Sequence, residues 1–220
     1  KSPAHCFDAA IEAARIALRY RTPVILLSDG YLANGSEPWR LPEVDALPDF
    51  PVEFHTRPEG FAPYSRDPET LARPWAIPGT PGLEHRIGGL EKQDGTGNVS
   101  YSPDDNDRMI RDRAAKVAKL AEYIPLLEVF GKPTGNLLVI GWGSSYGASR
   151  QAVERAQGNG KSVSAVHLRH LNPFPRNLGE IMDQFEQILV PEMNLGQLAM
   201  LLKARYLRPM TSMTKVRGRP

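Results

Sequence analysis

The stretch Leu137-Leu-Val-Ile-Gly-Trp-Gly-Ser-Ser145 constrains the fold of this chain more than any other. Four apolar residues run straight into glycines and two hydroxyls, the pattern of a strand buried on both faces that ends in a tight turn and starts a helix. A strand covered on both faces needs helices on each side of its sheet, and that arrangement belongs to parallel sheets with crossover connections. The following residues meet the demand. Ala148, Ala152, Val153 and Ala156 recur at helical spacing, Ser144 or Ser145 is placed to cap that helix, and Gly158-Asn-Gly160 supplies left-handed residues to end it. With 163–168 as the next strand, strand, helix and strand close within about thirty residues, one right-handed βαβ unit.

The unit repeats toward the C-terminus. Asn172-Pro-Phe-Pro175 is a turn, and Asn177 with Glu180 three residues on predicts a short capped helix. Residues 187–190 form a third apolar strand. Asn194 and Gln197 have capping-box spacing ahead of a helix whose buried face is Leu195, Leu198, Ala199, Leu202 and Tyr206, and 212–216 is the last strand. From about residue 131 to 220 the chain therefore predicts an α/β fold, a parallel sheet with helices on both faces.

Upstream, Phe7, Ile11, Ala14 and Leu18 give a helix over 4–20 one apolar stripe, closed by Arg21-Thr-Pro23. Val24-Ile-Leu-Leu27 reads as another doubly buried strand, ending at Ser28-Asp-Gly30. One strand cannot satisfy its own hydrogen-bond ladder, so partner strands are expected outside this chain. A first residue of Lys rather than Met adds to the expectation of a piece cut from a larger protein. Eleven of the twenty prolines then lie between Asn34 and Pro103, so regular structure should be sparse. Yet Phe50, Val52, Phe54, Phe61, Tyr64, Leu71, Trp75, Ile77 and Leu83 call for burial, so this Pro-rich arm, 36–101, is expected to lie over a neighbouring domain or subunit in preference to forming an internal lid. Ser102-Pro-Asp-Asp105 is a helix start, and Met109, Ile110, Ala114, Val117, Ala121 and Ile124 carry its stripe through a connecting segment, 102–130, until Pro125 ends the helix.

Charge and cysteine content narrow the function classes. Lys+Arg 27 against Asp+Glu 25 leaves +2, scattered except for the tail Lys215, Arg217 and Arg219, which makes no case for nucleic acid or an anionic membrane. No apolar run has the length of a membrane span and no secretory signal opens the chain, so a cytoplasmic location is expected. The one cysteine, Cys6, excludes an intrachain disulfide and an iron–sulfur site built from this chain alone, and reads as a small apolar filler.

Ligands of open parallel sheets bind outside the carboxyl ends of the strands, where free helix amides attract anions. Two loops qualify. Gly143, Ser144 and Ser145 are candidate anion-binding residues, although the third glycine of Gly141-Trp-Gly-Ser-Ser-Tyr-Gly147 is out of register for a dinucleotide fingerprint and the serines serve equally as caps. Glu192, Asn194, Gly196 and Gln197 are candidate interface residues, Glu192 as partner of cationic groups across a contact, with capping as the other use of Asn194 and Gln197. His167 reads as packed within a strand, whereas Arg169 and His170 at its end suit a surface role. The glycine-rich turns 79–89 and 94–98 hold His85 and Arg86, candidates for an anionic ligand or a partner carboxylate, or else solvated beside Glu84.

LLVIGWGSSYGASRQAVERA, AVHLRHLNPFPRNLGEI, LVPEMNLGQLAMLLKARYL and SMTKVRGRP resemble the C-terminal part of the alpha subunit of 2-oxoacid:ferredoxin oxidoreductases, in their 2-oxoglutarate branch. So do PYSRDPETLARPW and GTPGLEHRIGGLEKQDGTGN in the arm, and PVILLSDGYLAN, similar to the final strand of a thiamine-diphosphate pyrimidine-binding domain. The resemblance implies four segments: the end of that domain over 1–35, the arm over 36–101, the connecting helix over 102–130 and a transketolase C-terminal-like domain over 131–220. It implies oxidative decarboxylation of a 2-oxoacid on thiamine diphosphate, electrons passed through an iron–sulfur cluster to ferredoxin, and an acyl group handed to coenzyme A. Diphosphate, Mg2+ and cluster would sit mainly on a beta subunit, in an oligomer of heterodimers, with no catalytic residue in this chain, which would be inactive alone. A flavodoxin-like module holding an anion or nucleotide near Gly143, and an assembly module without ligand, are the alternative readings.

Overall fold

The computed structural model describes residues 1–217, so Arg219 and the last residues of the closing segment lie outside the described residues. In chain order the elements are α1 Pro3–Tyr20, α2 Gly30–Asn34, α3 Pro103–Tyr123, β1 Gly135–Trp142, α4 Tyr146–Gly158, β2 Val163–Leu168, α5 Leu178–Asp183, β3 Phe185–Glu192, α6 Gln197–Tyr206 and β4 Thr211–Thr214. Two compact units result and are described separately: Lys1–Asp8, Leu27–Trp39 and Ala121–Pro220 make one, Ala9–Leu26 and Arg40–Leu120 the other. The second unit thus holds the Pro-rich arm from Arg40 onward together with most of α1 and α3.

In the first unit the four strands form one parallel sheet in the order β2-β1-β3-β4. Alternation along β1 explains why both faces are filled. Leu138 and Ile140 join Val166, Leu168, Leu178, Met182, Phe185, Ile188, Val190, Leu198 and Leu202 on one face, while Val139 meets Val153 of α4 and Ala165 on the other. Each fully buried aliphatic side chain contributes about 1.5–3 kcal/mol by leaving water. The β-α-β-α-β-α-β order and the parallel sheet agree with expectation. At the end of α4 only Gly160 takes the left-handed conformation, at φ +74°, while Asn159 does not.

Asn177 departs from its expected role. Its side chain caps nothing on α5. Instead its amide nitrogen donates to the Leu127 carbonyl at 2.9 Å and its oxygen accepts from the Leu127 amide at 3.0 Å, a side chain imitating a backbone pair. It ties the segment leading into β1 to the start of α5. Asn177→Ala removes both bonds and is expected to lower unfolding stability by about 2 kcal/mol, at roughly 1 kcal/mol per bond, read from urea midpoints. A loss below about 0.5 kcal/mol would mean that water replaces them.

The stretch 24–27 forms no strand. It is extended but unpaired, with Ile25 84% exposed, because no neighbouring strand offers it a ladder. A short helix follows that the sequence reading did not include, α2, whose N-cap Asp29 accepts from the Leu32 amide at 3.0 Å. On α1 the buried residues are Ile16 and Tyr20, and Ala14 of the expected stripe is exposed.

In the second unit the arm is as poor in regular structure as its prolines require, with one 3-10 turn at Val44–Ala46 and isolated bridges such as Tyr64 with Gly95 and Lys92 with Val99. Cation-on-ring contacts join its segments. The Arg21 guanidinium lies 5.0 Å from the Trp75 ring centre and that of Arg73 4.3 Å from Tyr64. Leu83 is buried as expected, but Phe50, Val52, Phe54 and Ile77 stay exposed. On α3 the buried line is Met109, Lys116 and Leu120, and Ile110 of the expected stripe faces out.

Candidate functional site

The chain winds from β1 to β2 on one side and returns through β3 on the other, so β1 and β3 are the neighbours where the winding reverses. In open α/β sheets the ligand crevice lies outside the carboxyl ends of such a pair. Both loops singled out in the sequence leave those ends.

In the first, Gly143 takes φ +59° and opens a 3-10 turn, Gly143–Ser145. The Ser145 hydroxyl donates to the Trp142 carbonyl at 2.7 Å and accepts from the Trp142 amide at 3.3 Å, so it closes the turn and does not cap α4. Ser144 is buried, and its hydroxyl makes no hydrogen bond of good geometry. It does bear on the Asp29 carboxyl, from the same unit. Partial burial would raise that carboxyl, but Ser144 and the amides of Leu32 and Tyr31 outweigh it and hold Asp29 below the usual carboxylate range. An anion arriving at Ser144 would meet a negative charge already present.

The second loop is also provided for internally. Glu192, 4% exposed, accepts from the Leu198 amide at 2.9 Å and the Ala199 amide at 3.0 Å, one oxygen to each. Asn194 Oδ1 accepts from the Gly196 and Gln197 amides at 2.7 and 3.3 Å. Four amides at the start of α6 are thus satisfied by two side chains, and no capping box forms, since the N-cap is Gly196 at φ +92°. A Cβ on Gly196 would stand 2.8 Å from Ser212 Oγ, so the position needs glycine for space as well as conformation. Glu192 therefore corrects the expectation of a surface partner: it faces inward and caps α6. Leu195 at the loop tip is 82% exposed.

A cleft of about 380 Å3 opens at the end of β2 and the first turns of α4, lined by Tyr146, Ser149, Arg150, His167, Arg169 and His170 among others. Arg150 lies 4.4 Å from the Phe130 ring centre, and its side chain donates to Tyr146 Oη and to Glu154, both at 3.0 Å. The His167 ring meets Tyr146 edge-on at 5.0 Å. Burial above all, with Lys1 and His5 adding to it, pushes His167 down to about 3 against a hydrogen bond to the Gly143 backbone, so the ring is neutral near neutral pH.

The arm holds a second cleft, of about 470 Å3, and here two glycine turns read separately in the sequence come together: His85 and Arg86 from one, Thr96 and Asn98 from the other. His85 Nδ1 donates to the Leu83 carbonyl at 2.8 Å and its ring meets Phe61 edge-on at 5.2 Å, while Arg86 is exposed on the rim. Gly97, at φ +70°, has no room for a Cβ, which would fall 2.7 Å from Tyr64. Asp29 and the Arg150–Phe130–Tyr146 group escaped the sequence reading. For Asp29 a signal existed, Ser-Asp-Gly after an apolar run, an N-cap pattern. Among the described residues no three His, Cys, Asp or Glu side chains converge as metal ligands, and no helix is long and apolar enough to cross a membrane.

Residues 1–102 match the family described as pyruvate flavodoxin/ferredoxin oxidoreductase, thiamine diphosphate binding, and residues 135–218 match pyruvate:ferredoxin oxidoreductase core domain II. Over 220 residues the chain is 56% identical to the 2-oxoglutarate oxidoreductase subunit KorA of Mycobacterium tuberculosis, a match covering 99% of this chain and 33% of that protein. It is 30% identical over 200 residues to the alpha subunit of 2-oxoacid:ferredoxin oxidoreductase 1 from Aeropyrum pernix, covering 87% of this chain and 31% of that one. Among solved structures, the 2-oxoglutarate:ferredoxin oxidoreductase from Magnetococcus marinus with 2-oxoglutarate, coenzyme A and succinyl-CoA bound aligns with a TM-score of 0.86 at 29% identity, over 94% of this chain and 36% of that chain. The chain spans about a third of the length of these relatives.

Proposed function

As the chain belongs to the 2-oxoacid:ferredoxin oxidoreductases, as part of their KorA-like alpha subunit, we propose that it serves a thiamine-diphosphate-dependent oxidative decarboxylation of 2-oxoglutarate to an acyl-CoA, in the cytoplasm. Its own part in that reaction is structural and subunit-contacting, and alone it is inactive. The observation that carries this reading is the bare stretch 24–27, within the thiamine-diphosphate-binding match. An apolar segment with Ile25 84% exposed and no ladder partner leads into a capped helix, which is half of an α/β layer awaiting its sheet.

Thiamine diphosphate supplies a nucleophilic carbon and an electron sink for decarboxylation. The side chains present here do not fit its magnesium-bound diphosphate: among the described residues no acidic cluster converges, the Asp29 carboxyl bears on Ser144 at the first sheet loop, and the α6 amides at the second face Glu192. No step is therefore assigned to this chain. In this reading Mg2+, diphosphate and the iron–sulfur cluster sit on a beta subunit, in an oligomer of heterodimers, and ferredoxin and coenzyme A meet the whole complex. A lone Cys6 supports that division. The exposed Leu195, Met200 and Leu207 near α6, and Phe50, Val52 and Phe54 in the arm, are the surfaces offered for contact. The satisfied amides of α6 leave the flavodoxin-like alternative no anion site at the second loop, and the Asp29 carboxyl opposes one at Ser144.

Light scattering after gel filtration tests the reading. Mixed with the matching beta subunit, the full-length alpha subunit is expected to elute as a stable mixed complex that decarboxylates 2-oxoglutarate, whereas this chain alone gives no turnover. Turnover of 2-oxoglutarate by the isolated chain would sink the proposal, as would a full-length alpha subunit that ignores its partner.

A further inference from the structure

Helix α6 is apolar on both of its faces. Leu198, Ala199 and Leu202 seal the inner face against the sheet, each at 2% exposure or less, as a core helix should. The outer face, where a surface helix ordinarily carries charge, is built from Met200, Leu201 and Ala204, all exposed. Leu195 just before the helix and Leu207 just after it extend the apolar surface, at 82% and 86% exposure. An apolar surface of this kind left in water marks a contact.

Charge around that face runs one way. From Met193 to Arg217 the chain has no Asp or Glu, and its cations are Lys203, Arg205, Arg208, Lys215 and Arg217. Arg208 is used within the fold, donating to the Asp183 carboxyl and to the Phe185 carbonyl at 3.3 Å. The other four are exposed, and among the described residues none of them has an ion pair. Helical spacing sets Lys203 on one side of the line through Met200 and Ala204 and Arg205 on the other. Lys215, whose amide donates to the Glu192 carbonyl at 2.9 Å, stands by the start of the same helix. Strand β4 has one neighbour among the described residues, β3, and is exposed along all four of its residues, so its outer backbone edge is open as well.

We propose that the outer face of α6, with Leu195 and Leu207 at its ends and Lys203, Arg205, Lys215 and Arg217 around it, is the surface on which the beta subunit of the same enzyme seats an acidic patch. This rests on the reading of the chain as part of an alpha subunit and adds the chemistry of the contact. An apolar centre within a charged rim is the anatomy of a protein contact. A second copy of the chain does not fit it. A two-fold contact sets the same patch against itself and would bring four cations onto four, with no acid on either side. An anionic membrane would take the cations but gives the β4 edge nothing to pair with, whereas a protein segment can bond it. The apolar content selects a lasting subunit over a transient carrier, because lasting contacts are the more hydrophobic ones.

The test uses the full-length alpha subunit and the matching beta subunit, with association followed by titration calorimetry at two salt concentrations. Native affinity is expected to fall as salt rises, since rim charges carry part of it. Lys203→Glu with Arg205→Glu should weaken assembly by about tenfold and flatten that salt dependence. Met200→Gln, at an exposed site, should weaken it by about fivefold. Arg155→Glu with Lys161→Glu makes the same change in net charge elsewhere on the sheet-bearing unit and should alter affinity less than twofold. Thermal midpoints of the alpha subunit alone verify that each variant folds. Equal affinity in the native protein and both α6 variants overturns the inference and leaves the proposed function standing, as does a loss that the control pair reproduces. If the α6 variants instead break self-association of the alpha subunit, or its binding to phosphatidylserine vesicles, with beta-subunit affinity unchanged, a second copy or a membrane is the occupant and the inference falls. A native alpha subunit that ignores the beta subunit overturns both readings together.

Discussion

Glu192→Ala is expected to lower the unfolding stability of the sheet-bearing unit by about 3 kcal/mol, among the larger single effects available in this chain. The reasoning begins with geometry. The side chain is 4% exposed, and its two oxygens take the Leu198 and Ala199 amides at 2.9 and 3.0 Å. Alanine leaves two amides buried at a helix start, each worth about 1–3 kcal/mol when unpaired, and empties the space of the carboxyl group and the methylene that carries it beside Leu198 and Ala199, which are themselves buried. Glu192→Gln keeps one oxygen and should lose about half as much. Asn194→Ala removes the other cap in a more open place and should cost about 1 kcal/mol. Urea unfolding of the three variants ranks them. If Glu192→Ala falls below 1 kcal/mol, or Asn194→Ala exceeds it, the cap does not hold α6 as described.

The same residue shows where sequence reading stops. Period and polarity made the sheet legible: apolar runs at β1, β2 and β3, glycine and hydroxyl punctuation, and helical spacing between them were enough to predict order and direction. Glu192, Asn177 and Lys116 escaped because each is a polar residue whose use depends on a partner far away in the chain or on the side it faces. Nothing in Pro-Glu-Met-Asn says that Glu192 turns inward six residues to Leu198, and nothing around Asn177 points to Leu127, fifty residues upstream. Lys116 sits at a position that periodicity assigns to solvent, and only the arm packed against α3 makes it interior. The stretch 24–27 failed for the opposite reason. Its residues read correctly as strand formers, but a strand exists only with a neighbour to pair with, and none is present here.

At the candidate site the residue types were visible and their assembly was not. Ser144, Ser145, Asn194 and Gln197 were all identified, yet whether a helix amide is free for a ligand depends on which acid reaches it first. Glu192 answers that at the second loop by taking the α6 amides, while at the first Asp29 sets a negative charge beside Ser144.

Acid is expected to destabilise the sheet-bearing unit well above the range in which carboxylates titrate, and His167 is the reason. Its ring lies largely buried at the end of β2, edge-on to Tyr146, and burial leads the causes that push it down to about 3 from the ordinary value near 6.5. In the unfolded chain the imidazole takes up a proton as pH falls through 6.5, while in the folded one it stays neutral until about 3. The unfolded state therefore binds more protons throughout that window, so stability is complete above 6.5 and declines as pH falls, by up to about 1.4 kcal/mol per pH unit. His5 is lowered to about 4 in the same direction but is more open to solvent, so its share is smaller. Asp29 acts only at lower pH, since its carboxyl is held below the usual range. Between pH 6.5 and 5 the loss should thus be about 1–2 kcal/mol and should follow His167. Urea unfolding at both pH values, for the native protein and His167→Asn, separates this from general acid sensitivity: the variant should lose less than half as much. A ring resonance of His167 that titrates near 6.5 in the folded protein would show that the imidazole accepts its proton in place, and the predicted slope would then have no source.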